Sequence, residues 1–133
     1  MIAIDTSVAA KWVLEYEQDS DKAFVILEKH KFSVEEIIVP ELFFYEIANM
    51  LATKSSMTIK EMISALSKIY QANLNIYHPL ETDVNEAAKL AKKYKTSVYD
   101  MLYAVITKTR KTILITADEQ FVKQTKFKFV KLL

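Results

Sequence analysis

The sequence predicts an α/β protein, a three-layer α/β/α sandwich around a central, mainly parallel sheet. Short apolar runs of strand length alternate with segments whose apolar residues recur at helical spacing. No linker, low-complexity tract or repeat interrupts the chain, so residues 1–133 read as a single domain. At 51% hydrophobic and 26% charged residues it can bury a core without a disulfide or metal staple.

Met1 to Ile4 is a short buried strand, and Ser7 to Tyr16 and Asp19 to His30 follow with helical periodicity. Ile37-Ile38-Val39 is the second strand, stopped by Pro40. Glu41 to Lys54 is a helix, and Thr58-x-x-Glu61 is a capping box opening another that runs to about Ala72. Asn75 to His78 is the third strand, followed by helices over Asp83 to Tyr94 and Val98 to Lys108. The strand Thr112 to Ile115, a short helix from Asp118 and a strand near Phe127 to Val130 complete the order.

Composition removes whole classes of chemistry. Without cysteine there are no disulfides, thiolate zinc sites, iron–sulfur ligands or cysteine nucleophiles, so ligands must be oxygen or nitrogen. Without glycine neither of the glycine-rich nucleotide loops can form. The N-terminus lacks a basic leader and no apolar run reaches the roughly 18 residues of a membrane span, so a cytoplasmic protein without membrane contact is expected. Charge is unevenly placed. Residues 1–88 hold seven lysines against fourteen acids, whereas 89–133 hold ten lysines and Arg110 against Asp100, Asp118 and Glu119. A basic surface facing a polyanion and a solvated lysine-rich exterior both fit that pattern.

In parallel sheets the functional crevice lies beyond the carboxyl ends of the strands. Asp5 ends the first strand, and Asp118 follows a later one at the equivalent point. Each alone also reads as a helix N-cap. Asp100 completes Ser97-x-x-Asp100, a second capping-box pattern, although a carboxylate at a helix start can cap and face the crevice together. Glu46 lies about 60° around its helix from Phe43, at the border of the apolar stripe Phe43, Ile47 and Met50, whereas Glu41 points to solvent. Isolated buried carboxylates are costly. If these four converge, a hard divalent ion relieves their repulsion, and magnesium or manganese suits a site without His or Cys. Such an ion supports phosphodiester hydrolysis.

Ile4-Asp5-Thr6-Ser7-Val8, Pro40-Glu41-Leu42 through Glu46-Ile47-Ala48-Asn49, Ser97 to Tyr103, and Leu114 to Asp118 resemble, in order and spacing, the PIN-domain ribonucleases, nearest the VapC-type toxins. The resemblance spans essentially the whole chain. It implies an endoribonuclease dependent on Mg2+ or Mn2+, with Asp5, Glu46, Asp100 and Asp118 as catalytic and metal-binding acids. Thr6 and Thr116 match the accompanying hydroxyl positions, while Ser7 is open to a simple capping role. The resemblance also implies an RNA substrate, a homodimer and a cognate antitoxin. One departure is Thr109-Arg110-Lys111-Thr112, where relatives often carry glycine.

Other residues are given plainer roles. His30 and His78 read as structural or surface, and Trp12, Phe43, Phe44 and Tyr45 as core or interface rather than base-stacking groups. Lys89, Lys92, Lys93 and Lys95 are open between phosphate contact and solvated surface, as is Lys11 near the crevice. Two other functions share the fold class. A phosphoacceptor receiver-like domain would carry an adjacent acidic pair after the first strand, where Thr6 follows Asp5. A catalytically silent PIN-like RNA-binding module would keep the fold without the metal.

Overall fold

A computed structural model describes all of residues 1–133. Five strands form one all-parallel sheet: β1 (Ile2–Ile4), β2 (Ile37–Pro40), β3 (Asn75–Tyr77), β4 (Leu114–Thr116) and β5 (Val130–Leu132), in the order β3-β2-β1-β4-β5. Helices α1 (Thr6–Ala9), α2 (Ser20–Lys31), α3 (Leu42–Lys54), α4 (Ile59–Gln71), α5 (Glu81–Tyr94), α6 (Val98–Thr109) and α7 (Glu119–Thr125) complete the sandwich. Ala3 is paired with Ile38 on one side and Leu114 on the other, so β1 is central and every residue of it is buried.

The strand order reverses between β1 and β4, which makes the crevice beyond their carboxyl ends the topological switch point. Helix α6 is buried around its whole middle, from Met101 to Thr107, because it packs on β1, β2 and β4 and is covered by α5. It can therefore carry side chains into the crevice from a rigid seat. Phe43, Ile47 and Leu51 turn one face of α3 inward, and Ala65 and Ile69 do the same for α4. The expected capping box of α4 is present, with Thr58 and Glu61 each closing the other's backbone N–H.

The structure corrects several expected boundaries. The helix expected over Ser7 to Tyr16 is only the single turn α1, followed by a 3-10 turn at Ala10–Trp12. Trp12 lies in the core and its indole N–H donates to the Ala23 carbonyl of α2 at 2.9 Å, so tertiary packing folds the chain away from the helical path. Lys11 Nζ then holds the following loop by donating to the Gln18 carbonyl at 2.6 Å. The last strand lies at Val130–Leu132 rather than Phe127 to Val130, because Phe127 and Phe129 stack on each other and Phe127 also meets Tyr94. His78 falls beyond β3, and β4 begins at Leu114.

The absence of glycine leaves its mark on the turns. Tyr16, Asp19, Ser33, Asn73, Lys95, Lys111 and Lys126 all adopt positive φ. An L-residue in that region crowds its Cβ against the backbone at a cost of roughly 1–2 kcal/mol. In the turn Thr109-Arg110-Lys111-Thr112 it is Lys111 that takes the left-handed conformation, so the turn is made without glycine.

Candidate active site

Asp5 follows β1 in extended conformation and caps α1, accepting the Ser7 amide at 3.1 Å on Oδ1. That places residue 7, two positions on, with its hydroxyl against the same oxygen, and Ser7 Oγ donates to Asp5 Oδ1. Thr116 Oγ1, at the end of β4, donates to Asp5 Oδ2. The two hydroxyls also accept backbone N–H groups, Ser7 Oγ from Ala117 at 2.8 Å and Thr116 Oγ1 from Asp118 at 3.0 Å. The ends of β1 and β4 are thus stitched through one carboxylate. Burial pushes the Asp5 carboxyl up to about 6 from its ordinary 3.8, against the opposing pull of the Ser7 and Thr116 hydrogen bonds.

Glu46 is half-buried on α3, as the stripe-border position predicts. Its partner is Tyr103, whose hydroxyl donates to Glu46 Oε1 at 2.6 Å from α6. Burial raises the Glu46 carboxyl, the Tyr103 hydrogen bond lowers it, and the charges of Asp100 and Asp5 add to the rise. Asp100 lies in the first turn of α6, half-buried and also raised by burial, with Ser97 opposing and the charge of Asp118 adding. Only half of the expected Ser97–Asp100 box forms: Ser97 Oγ accepts the Asp100 amide at 3.0 Å, and the Asp100 carboxylate is not used as the return cap. Asp118 is exposed and caps α7, its Oδ1 accepting the Phe121 amide at 3.0 Å.

The four acids therefore come from four separate segments and form a chain of mutual repulsion, Asp5 with Glu46, Glu46 with Asp100, Asp100 with Asp118. None has a cationic partner, since every ion pair in the molecule lies elsewhere. They do not close to a point: no three Asp, Glu or His side chains stand near enough to hold one ion between them. The donor set still fits a hard divalent cation. All its atoms are oxygens, its charge is uncompensated, and magnesium keeps several waters between itself and its protein ligands.

Thr116 stands at Asp5 as expected, one supporting assignment changes and one residue is added. Ser7 rather than Thr6 supplies the hydroxyl beside Asp5, because Asp5 is itself the cap and the residue two positions on faces it. The pattern Asp5-x-Ser7 carries that signal. Tyr103 was not singled out, although its position one turn after Asp100 places both on one helix face. Lys11 is committed to Gln18 and Glu17, not to the crevice. Arg110 lies over the Tyr77 ring at 5.1 Å. His30 Nδ1 accepts the Ile37 amide at 3.1 Å and His78 pairs with Glu41 at the surface. Phe43 is core and Phe44 stacks on Tyr70, whereas Tyr45 is exposed.

A family model described as PIN domain matches residues 2–127. Sequence comparison with curated proteins finds no match. Among solved structures, VapC20 of Mycobacterium tuberculosis, described as a sarcin–ricin loop cleaving toxin, is 10% identical with a TM-score of 0.67, covering 88% of each chain. PAE2754 of Pyrobaculum aerophilum is 19% identical with a TM-score of 0.70, covering 98% of this chain and 87% of its own. At such identities the likeness is one of fold.

Proposed function

Since this chain belongs to the PIN-domain family, whose members are generally nucleases, we propose that it is a divalent-metal-dependent endoribonuclease, the toxin of a VapC-type toxin–antitoxin pair. One observation carries the reading: carboxylates from four distant segments act on one another pairwise, Glu46 with Asp5 and Asp100, and Asp100 with Asp118, and no cation neutralises any of them. Asp5, Glu46, Asp100 and Asp118 would hold Mg2+ or Mn2+, which supplies a more acidic bound water and offsets charge on a phosphoryl oxygen. The chain's own residues set the frame for that chemistry. Ser7 and Thr116 orient Asp5, Tyr103 holds Glu46 by Oε1, and the α7 cap holds Asp118 by one oxygen.

RNA as substrate is part of the proposal, supported by the likeness in fold to VapC20, a sarcin–ricin loop cleaving toxin. A cognate antitoxin, a homodimer and a cytoplasmic setting belong to the same proposal. No helix is long and apolar enough to cross a membrane. The test is cleavage of RNA by wild type and Asp5→Asn with Mg2+ or Mn2+. Metal-dependent cutting by wild type alone is expected; equal cutting by both, or cutting in excess EDTA, overturns the reading. Growth arrest on expression, relieved by a neighbouring gene product, separates toxin from housekeeping nuclease. The spacing of the carboxylates favours one second reading, a silent RNA-binding module, which absence of Mn2+ binding in calorimetry would select.

A further inference from the structure

The densest positive charge of the chain adjoins its acidic crevice. Lys92, Lys93 and Lys95 end α5, and Lys123, Lys126 and Lys128 lie on and after α7, all exposed. Of these only Lys123 has an acidic partner, Glu119 at 3.6 Å. Two ties join the groups into one shelf. Gln124 Nε2 donates to the carbonyls of Tyr94 and Lys95 at 2.8 and 2.9 Å, closing acceptors that the end of α5 leaves open. The Tyr94 ring meets Phe127 edge to face at 5.0 Å, fixing the segment that carries Lys126 and Lys128.

The shelf starts where the carboxylates stop. Lys95 stands two residues before Ser97, the cap of the helix that carries Asp100, and α7 is capped by Asp118 itself. Helix α7 spans on the order of 10 Å, which puts Lys123 and Lys126 within about that distance of its Asp118 cap along the helix, and Lys95 is five residues before Asp100 in the chain. Four carboxylates repel a polyanion, and a substrate phosphate chain must be held by cations nearby. We infer that this shelf, through Lys92, Lys95, Lys123 and Lys126, grips the phosphate backbone of single-stranded RNA and leads it to the crevice. The inference rests on the nuclease reading above. Lysines are point donors without base preference, so the shelf supplies position rather than sequence choice. Lysines in a last helical turn also complement the helix dipole, and that role alone predicts an effect on stability, not on RNA.

The test measures fluorescence anisotropy of a labelled single-stranded RNA of mixed sequence, about 20 nucleotides long, in an Asp5→Asn background that keeps the probe intact, over about 50 to 200 mM salt. One variant carries Lys92→Gln, Lys95→Gln and Lys126→Gln. A control with the same charge change carries Lys29→Gln, Lys31→Gln and Lys68→Gln, which lie on α2 and α4 and are also exposed. The shelf variant is expected to bind at least about tenfold more weakly and to lower the salt slope by about 2, roughly 0.7 per lost phosphate contact. The control is expected to change both far less. Equal effects of the two variants, or a shelf variant that loses only melting temperature, overturn the inference while leaving the nuclease reading intact. If wild type cleaves no RNA while the shelf variant alone loses binding, the nuclease reading falls and the shelf's grip on RNA stands.

Discussion

Removing the charge of Asp5 should stabilise the metal-free protein. Burial raises its carboxyl from 3.8 to about 6 in the folded state. For an acid raised in this way the protonated form is favoured by folding, so the folded state is least burdened below pH 3.8 and the penalty grows as pH rises to about 6. Above that, a rise of about 2 in pKa at about 1.4 kcal/mol each corresponds to roughly 3 kcal/mol, an upper value because solvent and local rearrangement relieve part of it. Asn keeps the shape and the acceptor for the Ser7 amide, and the Thr116 hydroxyl can rotate to accept from its new N–H. In EDTA at neutral pH, Asp5→Asn should therefore melt higher than wild type, by up to about 10 °C for a chain of this length, and the difference should vanish near pH 4. Adding Mn2+ should reverse the order by raising wild type alone. Thermal melts across pH in EDTA read this directly. A variant that melts at or below wild type at neutral pH, or a difference independent of pH, would refute the claim that burial of this carboxylate outweighs its hydrogen bonds.

Other consequences are testable separately. Tyr103→Phe keeps the buried ring but removes the donor to Glu46, and calorimetry should show Mn2+ affinity about tenfold weaker, as for loss of an outer partner of a metal ligand. Lys111→Gly relieves the positive φ of the turn before β4, and the gain, about 0.5–1 kcal/mol after the entropy glycine adds to the unfolded chain, should raise the melting temperature by roughly 3 °C. Leu51→Ala empties a fully buried position on α3, and denaturant unfolding should show a loss of about 2–5 kcal/mol.

Much of the fold was legible because its signals are local. Ile37-Ile38-Val39 is an apolar run ended by Pro40, and Thr58 with Glu61 is a self-contained motif, so both could be read without knowing what they pack against. The first helix was not legible, since Ser7 to Tyr16 has helical periodicity and only the seat of Trp12 beneath α2 breaks it. The last strand was misplaced for a similar reason. Phe127 and Phe129 look like strand residues but are taken by the ring cluster around Tyr94.

The candidate site divides along the same line. Chain order alone placed Asp5 and Asp118 beyond the ends of strands, put Glu46 at the border of an apolar stripe, and by the absence of cysteine confined any metal to oxygen and nitrogen donors. These follow from periodicity and residue type, which are properties of neighbours along the backbone. Only tertiary structure decided that Ser7 and Thr116 share Asp5, that Tyr103 reaches Glu46 across 57 positions, and that no lysine answers the acids. Hydrogen bonds and Coulomb forces act through space over a few ångströms, and which groups come that close is settled by how the helices pack on the sheet.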